Sequence, residues 1–165
     1  MIIDLQIASQ SKQLPTLEHL EQWAQLAIQS SDAEAEITIR IVDDAESHEL
    51  NLQYRGKDKP TNVLSFAFEQ PEFDDPELAA QMAAELGDIN YLGDLVINAA
   101  LVAQEATEQD KPVEDHWAHL VIHGTLHLQG FDHIQEAEAQ AMETLEARLL
   151  SSLNIPNPYV AKQST

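Results

Sequence analysis

Apolar residues recur at every second position in four short stretches of the chain: Ile2–Ala8, Glu36–Asp43, Val63–Glu69 and Asp94–Asn98. This period places alternate side chains on opposite faces of a sheet and predicts four strands. Between them the period lengthens to three and four. Leu17, Leu20, Ala24, Ala27 and Ile28 make one stripe behind Pro15-Thr16, which marks a helix start. A shorter helix is expected over residues 44–54 and another over 99–109. The next opens near Asp110-Lys111-Pro112, carries Glu114 and Asp115 at its positive end, and runs to Gln129, where Gly130 suits a left-handed cap. A last helix over 135–152 is amphipathic through Ala137, Ala141, Leu145 and Leu149.

Strands and helices mixed in this order predict an α/β (α+β) fold. We expect a single domain over residues 1–155, with a small, mostly parallel mixed sheet of about four strands and helices packed on it. Residues 156–165 read as an irregular tail. The acidic segment 70–87, QPEFDDPELAAQMAAELG, reads as a solvated insertion containing a short helix.

Composition narrows the chemistry. With 165 residues and 44% hydrophobic content, one real core is affordable. There is no cysteine, so any metal must be held by histidine and carboxylate. The N-terminal MIIDLQIASQ lacks a basic segment and reads as a strand rather than a signal peptide. No stretch approaches the roughly 18 apolar residues that span a bilayer. A cytoplasmic protein with no membrane contact is the expectation.

The net charge of −21 argues against non-specific nucleic-acid binding, because phosphate contacts need cations. Yet Arg55, Lys57 and Lys59 gather three of the eight basic residues in one short segment. A cationic spot on an acidic body can focus a polyanion at one place.

Residues 123–133 read HGTLHLQGFDH. His123 and His127, four apart on a helix, aim two imidazoles at one point. Gly130 lets the chain reverse, and His133 can return to that point. A three-histidine, zinc-hydrolase-like site with an open coordination position is the expected arrangement, holding one zinc ion per chain, with nickel or another divalent metal as alternatives. His119 shares the helical face, but positions 119 and 127 lie about 12 Å apart along the axis. It is therefore assigned a packed or outer-shell role, and His116 a solvent-facing one. Asp132 is a candidate to orient a ligand imidazole from the outer shell, or else a turn residue.

At this point a resemblance emerges. Residues 123–133 resemble the H-G-x-L-H-L-x-G-Y-D-H signature of the YbeY family of bacterial metal-dependent endoribonucleases. The segment from Asn51 to Phe66, NLQYRGKDKPTNVLSF, is similar to the family's central motif ending in P-T-D/N-V-L-S-F, and Gly93–Ile97 to its G-D-I-V-I strand. The resemblance implies a single α/β domain with His123, His127 and His133 as metal ligands and Arg55 as the catalytic or phosphate-contacting residue. It further implies a role in ribosomal RNA processing, at the 3′ end of 16S rRNA and in ribosome quality control, with RNA and small-subunit components as partners. Phe131 departs from the usual Tyr and removes a hydroxyl.

The leading expectation is thus hydrolysis of RNA phosphodiesters, preferentially in single strands. The planar fork of Arg55 suits phosphate. Lys57 and Lys59 are candidates to guide the strand, and Ser65 to touch substrate. A zinc peptidase is disfavoured because Gly124 stands where its catalytic Glu would be. The alternative is a non-catalytic ribosome assembly factor with a structural metal, docking basic partner proteins through its negative charge.

Overall fold

The computed structural model describes residues 1–29, 34–68, 74–86, 90–131 and 135–159. Four strands, β1 (Ile2–Ile7), β2 (Ala35–Val42), β3 (Val63–Ala67) and β4 (Asn90–Asn98), form one mixed sheet in the order β1-β2-β4-β3. β1, β2 and β4 run parallel, and β3 pairs antiparallel with β4 at the edge. The helices are α1 (Leu17–Ala27), α2 (Asp44–Arg55), α3 (Pro76–Leu86), α4 (Ala99–Glu108), α5 (Val113–Leu128) and α6 (Glu136–Ser151). The expected α/β domain with a four-stranded, mostly parallel sheet is what forms.

Period-two patterning sorts the two faces of the sheet. Ile37, Ile39 and Ile41 of β2 and Leu95 and Ile97 of β4 are fully buried, and join Leu20, Trp23, Trp117, Val121 and Leu126 of α1 and α5 in the main core. On the other face Val42, Leu64 and Val96 make a small second cluster, with Leu50 and Phe66 packed against it. Arg40 of β2 reaches Glu46 of α2 there at 2.5 and 2.9 Å. The main core thus lies between the sheet and α1 and α5.

Local signals set most boundaries. Thr16 caps α1 by accepting from the His19 amide at 3.2 Å, and Asn98 caps α4 by accepting from the Leu101 amide at 3.1 Å. β4 is four residues longer at its start than its alternation predicts. Gly93, the first residue of the stretch similar to the G-D-I-V-I strand, lies within β4 at φ 142°, where an added Cβ would sit 2.2 Å from the Phe66 carbonyl.

α6 differs from its expected stripe. Ala137 and Ala141 are exposed, and the buried line is Met142, Glu146 and Leu150. The helix is turned so that a carboxylate points inward. Among the described residues, no helix is long and apolar enough to cross a membrane.

Candidate metal centre and cleft

α5 is held by packing along most of its length. Its Trp117, Ala118, Val121, Ile122, Thr125 and Leu126 are buried. At its end the Gln129 side chain donates to the Ala27 carbonyl at 2.7 Å and accepts from the Gln29 amide at 2.9 Å, which ties the end of α5 to that of α1. Gly130, at φ 96°, then closes the helix. Its amide donates to the His127 carbonyl at 3.0 Å and the Phe131 amide to the Leu126 carbonyl at 3.2 Å, the paired bonds of a Schellman cap. The expected glycine cap at Gly130 is therefore present. His133 and Asp132 lie outside the described residues.

On this anchored helix His123 and His127 stand one turn apart with their Nε2 atoms 3.0 Å from each other. The proton positions follow from the other ring nitrogens. His127 Nδ1 lies 2.9 Å from the Phe131 carbonyl, which can only accept. His123 Nδ1 lies 2.5 Å from Glu146 Oε1. Burial alone would raise the Glu146 carboxyl, but hydrogen bonds from His119 and His123, the His123 charge and the Tyr159 hydroxyl outweigh it and hold it down at about 2. Glu146 is therefore an anion, and both Nδ1 atoms donate. In the neutral imidazoles both Nε2 lone pairs then face one small volume. Two acceptors 3.0 Å apart repel unless a cation or a shared proton lies between them, and neutral imidazole with its far nitrogen engaged is the form that ligates a metal. These residues fit a divalent metal.

Glu146 was not singled out from the sequence. It is fully buried, 23 residues from His123 along the chain, and its other oxygen accepts from His119 Nε2 at 3.2 Å and from the Tyr159 hydroxyl. His119, His123 and Glu146 can also be taken as a cluster able to hold a metal, since one donor atom from each lies within 4.8 Å of the others. His123 belongs to both sets. The signal in the sequence was a carboxylate on the line of Met142 and Leu150, where an apolar residue would be the rule.

His116 corrects an expectation. It is buried, not solvent-facing: its Nε2 meets Glu105 Oε1 of α4 at 2.9 Å, and Glu105 also accepts from Asn62 at 3.0 Å. Burial first, then the Lys111 and His119 charges, lower its pKa against the raising effect of Glu105. It sits on the α4 side of α5, away from solvent, because a hydrogen-bonded partner was supplied by a helix that sequence spacing does not connect to it.

The second wall of the site comes from α2 and the loop after it. Gly56 caps α2 at φ 69°, leaving Arg55 at the helix's negative end. Two buried polar residues of α2 pin the following loop. Ser47 Oγ donates to the Thr61 carbonyl at 2.6 Å and accepts from its amide at 2.9 Å, while Asn51 Nδ2 donates to the Lys59 carbonyl at 2.8 Å. The chain then enters β3. The result is a cleft of about 680 Å³ whose lining includes Arg55, Ser65, His123, His127 and Phe131. Lys57 and Lys59 are exposed and do not occur among the described residues lining it.

Gly124, next to His123, is buried against the sheet behind the cleft. A Cβ there would lie 2.7 Å from Leu95 Cδ2 and 3.3 Å from Ser65 Oγ. Its missing side chain lets α5 approach β3 and β4 closely enough to bring the histidines over the sheet's edge.

Fold and site together define a one-domain α/β protein with a histidine–carboxylate cluster suited to a divalent metal at a cleft that also holds an arginine. Residues 5–154 match the family described as endoribonuclease YbeY, and the chain belongs to that family. Membership supports a nuclease whose substrate is RNA, with a broad role in rRNA maturation. The chain is also similar to the solution structure of TM1509 from Thermotoga maritima. That match has 23% identity, covers 98% of this chain and 99% of that one, and has a TM-score of 0.49.

Proposed function

We propose that this protein is a cytoplasmic, metal-dependent endoribonuclease that hydrolyses single-stranded RNA phosphodiesters. We assign its role to processing of the 16S rRNA 3′ end and to ribosome quality control, in contact with small-subunit components. The observation that carries the reading is one cleft holding both Arg55 and the facing Nε2 atoms of His123 and His127. We assign one zinc ion per chain to His123, His127 and His133, with nickel or another divalent metal able to substitute. Such a metal supplies Lewis acidity toward a phosphoryl oxygen and makes water a stronger nucleophile near neutral pH.

The chain's own residues do the rest. Glu146 and the Phe131 carbonyl fix the two ring orientations and keep Nε2 unprotonated. Arg55 donates to the non-bridging oxygens, where charge builds as the diester is attacked. Ser65, which lines the cleft, donates to the substrate in this reading. Lys57 and Lys59, exposed on the loop beyond Arg55, steer the strand toward the cleft rather than contact the reacting phosphate. His119 and Asp132 are assigned outer-shell roles.

Zinc-loaded protein incubated with a defined single-stranded RNA tests this. Wild type should cut, and Arg55→Ala should retain metal but lose most cleavage. Equal cleavage by the two proteins would remove Arg55 from the mechanism. Absence of cleavage by wild type, with metal bound, would favour the alternative of a non-catalytic assembly factor that docks basic proteins.

A further inference from the structure

The tail after α6 returns to the metal centre. Leu153 and Ile155 pack against the main core, and the Ile155 amide donates to the Leu150 carbonyl at 3.0 Å. Pro156 and Pro158 flank Asn157, whose side chain accepts from the Tyr159 amide at 2.8 Å and turns the chain back. Tyr159 keeps 39% of its surface exposed, yet its ring meets the His119 ring edge-on at 5.6 Å and its hydroxyl donates to Glu146. A phenol with an exposed outer face and an inward hydroxyl is not there for core packing alone.

We propose that Tyr159 is a positioning residue for the metal centre: its hydroxyl holds Glu146 in the rotamer that receives the His123 Nδ1 proton, so that docking of the tail and metal binding strengthen each other. The inference rests on His123 being a metal ligand, which both candidate ligand sets share. Glu146 Oε1 serves His123, while Oε2 serves His119 and Tyr159. Loss of the phenol hydroxyl leaves Oε2 with His119 alone, and the carboxylate can rotate away from His123. The coupling is reciprocal by linkage. A bound metal fixes His123, hence Glu146, hence the tail.

Zinc affinity measured by competition with a chromogenic chelator tests this, alongside the visible spectrum of the cobalt-substituted protein. Tyr159→Phe keeps the ring and removes only the hydroxyl. It should weaken zinc binding about 10-fold, at the lower end of what outer-shell partners contribute, and shift the cobalt bands. In a Glu146→Gln background the same change should have no further effect. Zinc should also slow proteolysis of the tail in wild type, and less so in Tyr159→Phe. Wild-type affinity and an unchanged cobalt spectrum in Tyr159→Phe would overturn the proposal, as would an equal loss with and without Glu146. Zinc binding without RNA cleavage in wild type would remove the proposed function and leave the tail's role standing. A wild type that takes up no zinc would remove both.

Discussion

On one wall of the cleft, His123 and His127 stand on a helix buried along most of its length, and Glu146 behind them is fully enclosed. On the other, Arg55 ends a helix whose residues from Leu52 onward are all exposed. The metal wall is held by charge-assisted hydrogen bonds from half-buried histidines to one fully buried carboxylate, which fix ring directions at the cost of desolvating that carboxylate. The loop of the basic wall is pinned through its backbone by Ser47 and Asn51, with a surface contact between His48 and Asp58, and Arg55 itself is exposed to water. A metal needs ligands fixed in advance. A polyanion arriving from solvent is better met by a charge that has not been stripped of water. Substitutions on the first wall should therefore move metal affinity and stability together. Those on the second should move RNA binding and catalysis while leaving metal affinity largely unchanged.

The largest effect expected is at His123. Replacing it with alanine removes a proposed ligand and leaves the buried Glu146 short of a donor. Zinc uptake should be lost, and the metal-free protein should be destabilised by about 1–3 kcal/mol in urea unfolding. Zinc binding at wild-type strength would mean that the metal lies elsewhere. Arg55→Ala gives the sharpest contrast. Cleavage of a defined RNA should fall about 10²–10³-fold, with zinc content and thermal midpoint unchanged, and a parallel loss of zinc would erase the distinction between the walls.

Gly124→Ala tests the close contact between α5 and the sheet. Overpacking against Leu95 should cost about 1–3 kcal/mol, and Gly124→Glu should cost more without producing a peptidase. If Gly124→Ala is as stable as wild type, α5 is free to shift and the close approach is not required. Ser47→Ala breaks the pin under the basic loop and leaves the Thr61 backbone pair without its partner. About 1 kcal/mol of stability should be lost, with RNA affinity reduced more than zinc affinity.

The smallest effect is electrostatic. The pKa of His116 is lower in the folded protein than its ordinary value of 6.5. The unfolded chain therefore takes up the proton first as pH falls, so the contribution of neutral His116 is present above about 6.5 and lost as pH drops through the folded value. Metal-free wild type should lose stability over that interval more steeply than His116→Gln. Identical slopes would show that His116 charges as easily inside the protein as outside it.

Much of this molecule is written locally. The strands of β1, β2 and β3 announce themselves by alternation, and α1 by its stripe behind Pro15-Thr16, because a period of two or of three to four is set by the backbone geometry of each element alone. The pairing of His123 with His127 is of the same kind: four residues on a helix make one turn, whatever surrounds it. Gly130 likewise needs only its own φ.

Three things needed the assembled fold. Glu146 reads as one more acidic residue of α6 until three donors from α5 and the tail surround it, on the line of Met142 and Leu150 that faces the core. His116 looks exposed until α4 brings Glu105 to it. Gly124 in the sequence is a missing catalytic carboxylate, whereas in the structure it is the gap that lets α5 rest on Leu95. Hydrophobic period and turn chemistry are properties of a few neighbouring residues, and the chain determines them by itself. Whether a polar side chain is buried depends on partners tens of residues away, since only a completed hydrogen bond offsets its desolvation. That was left to the tertiary structure.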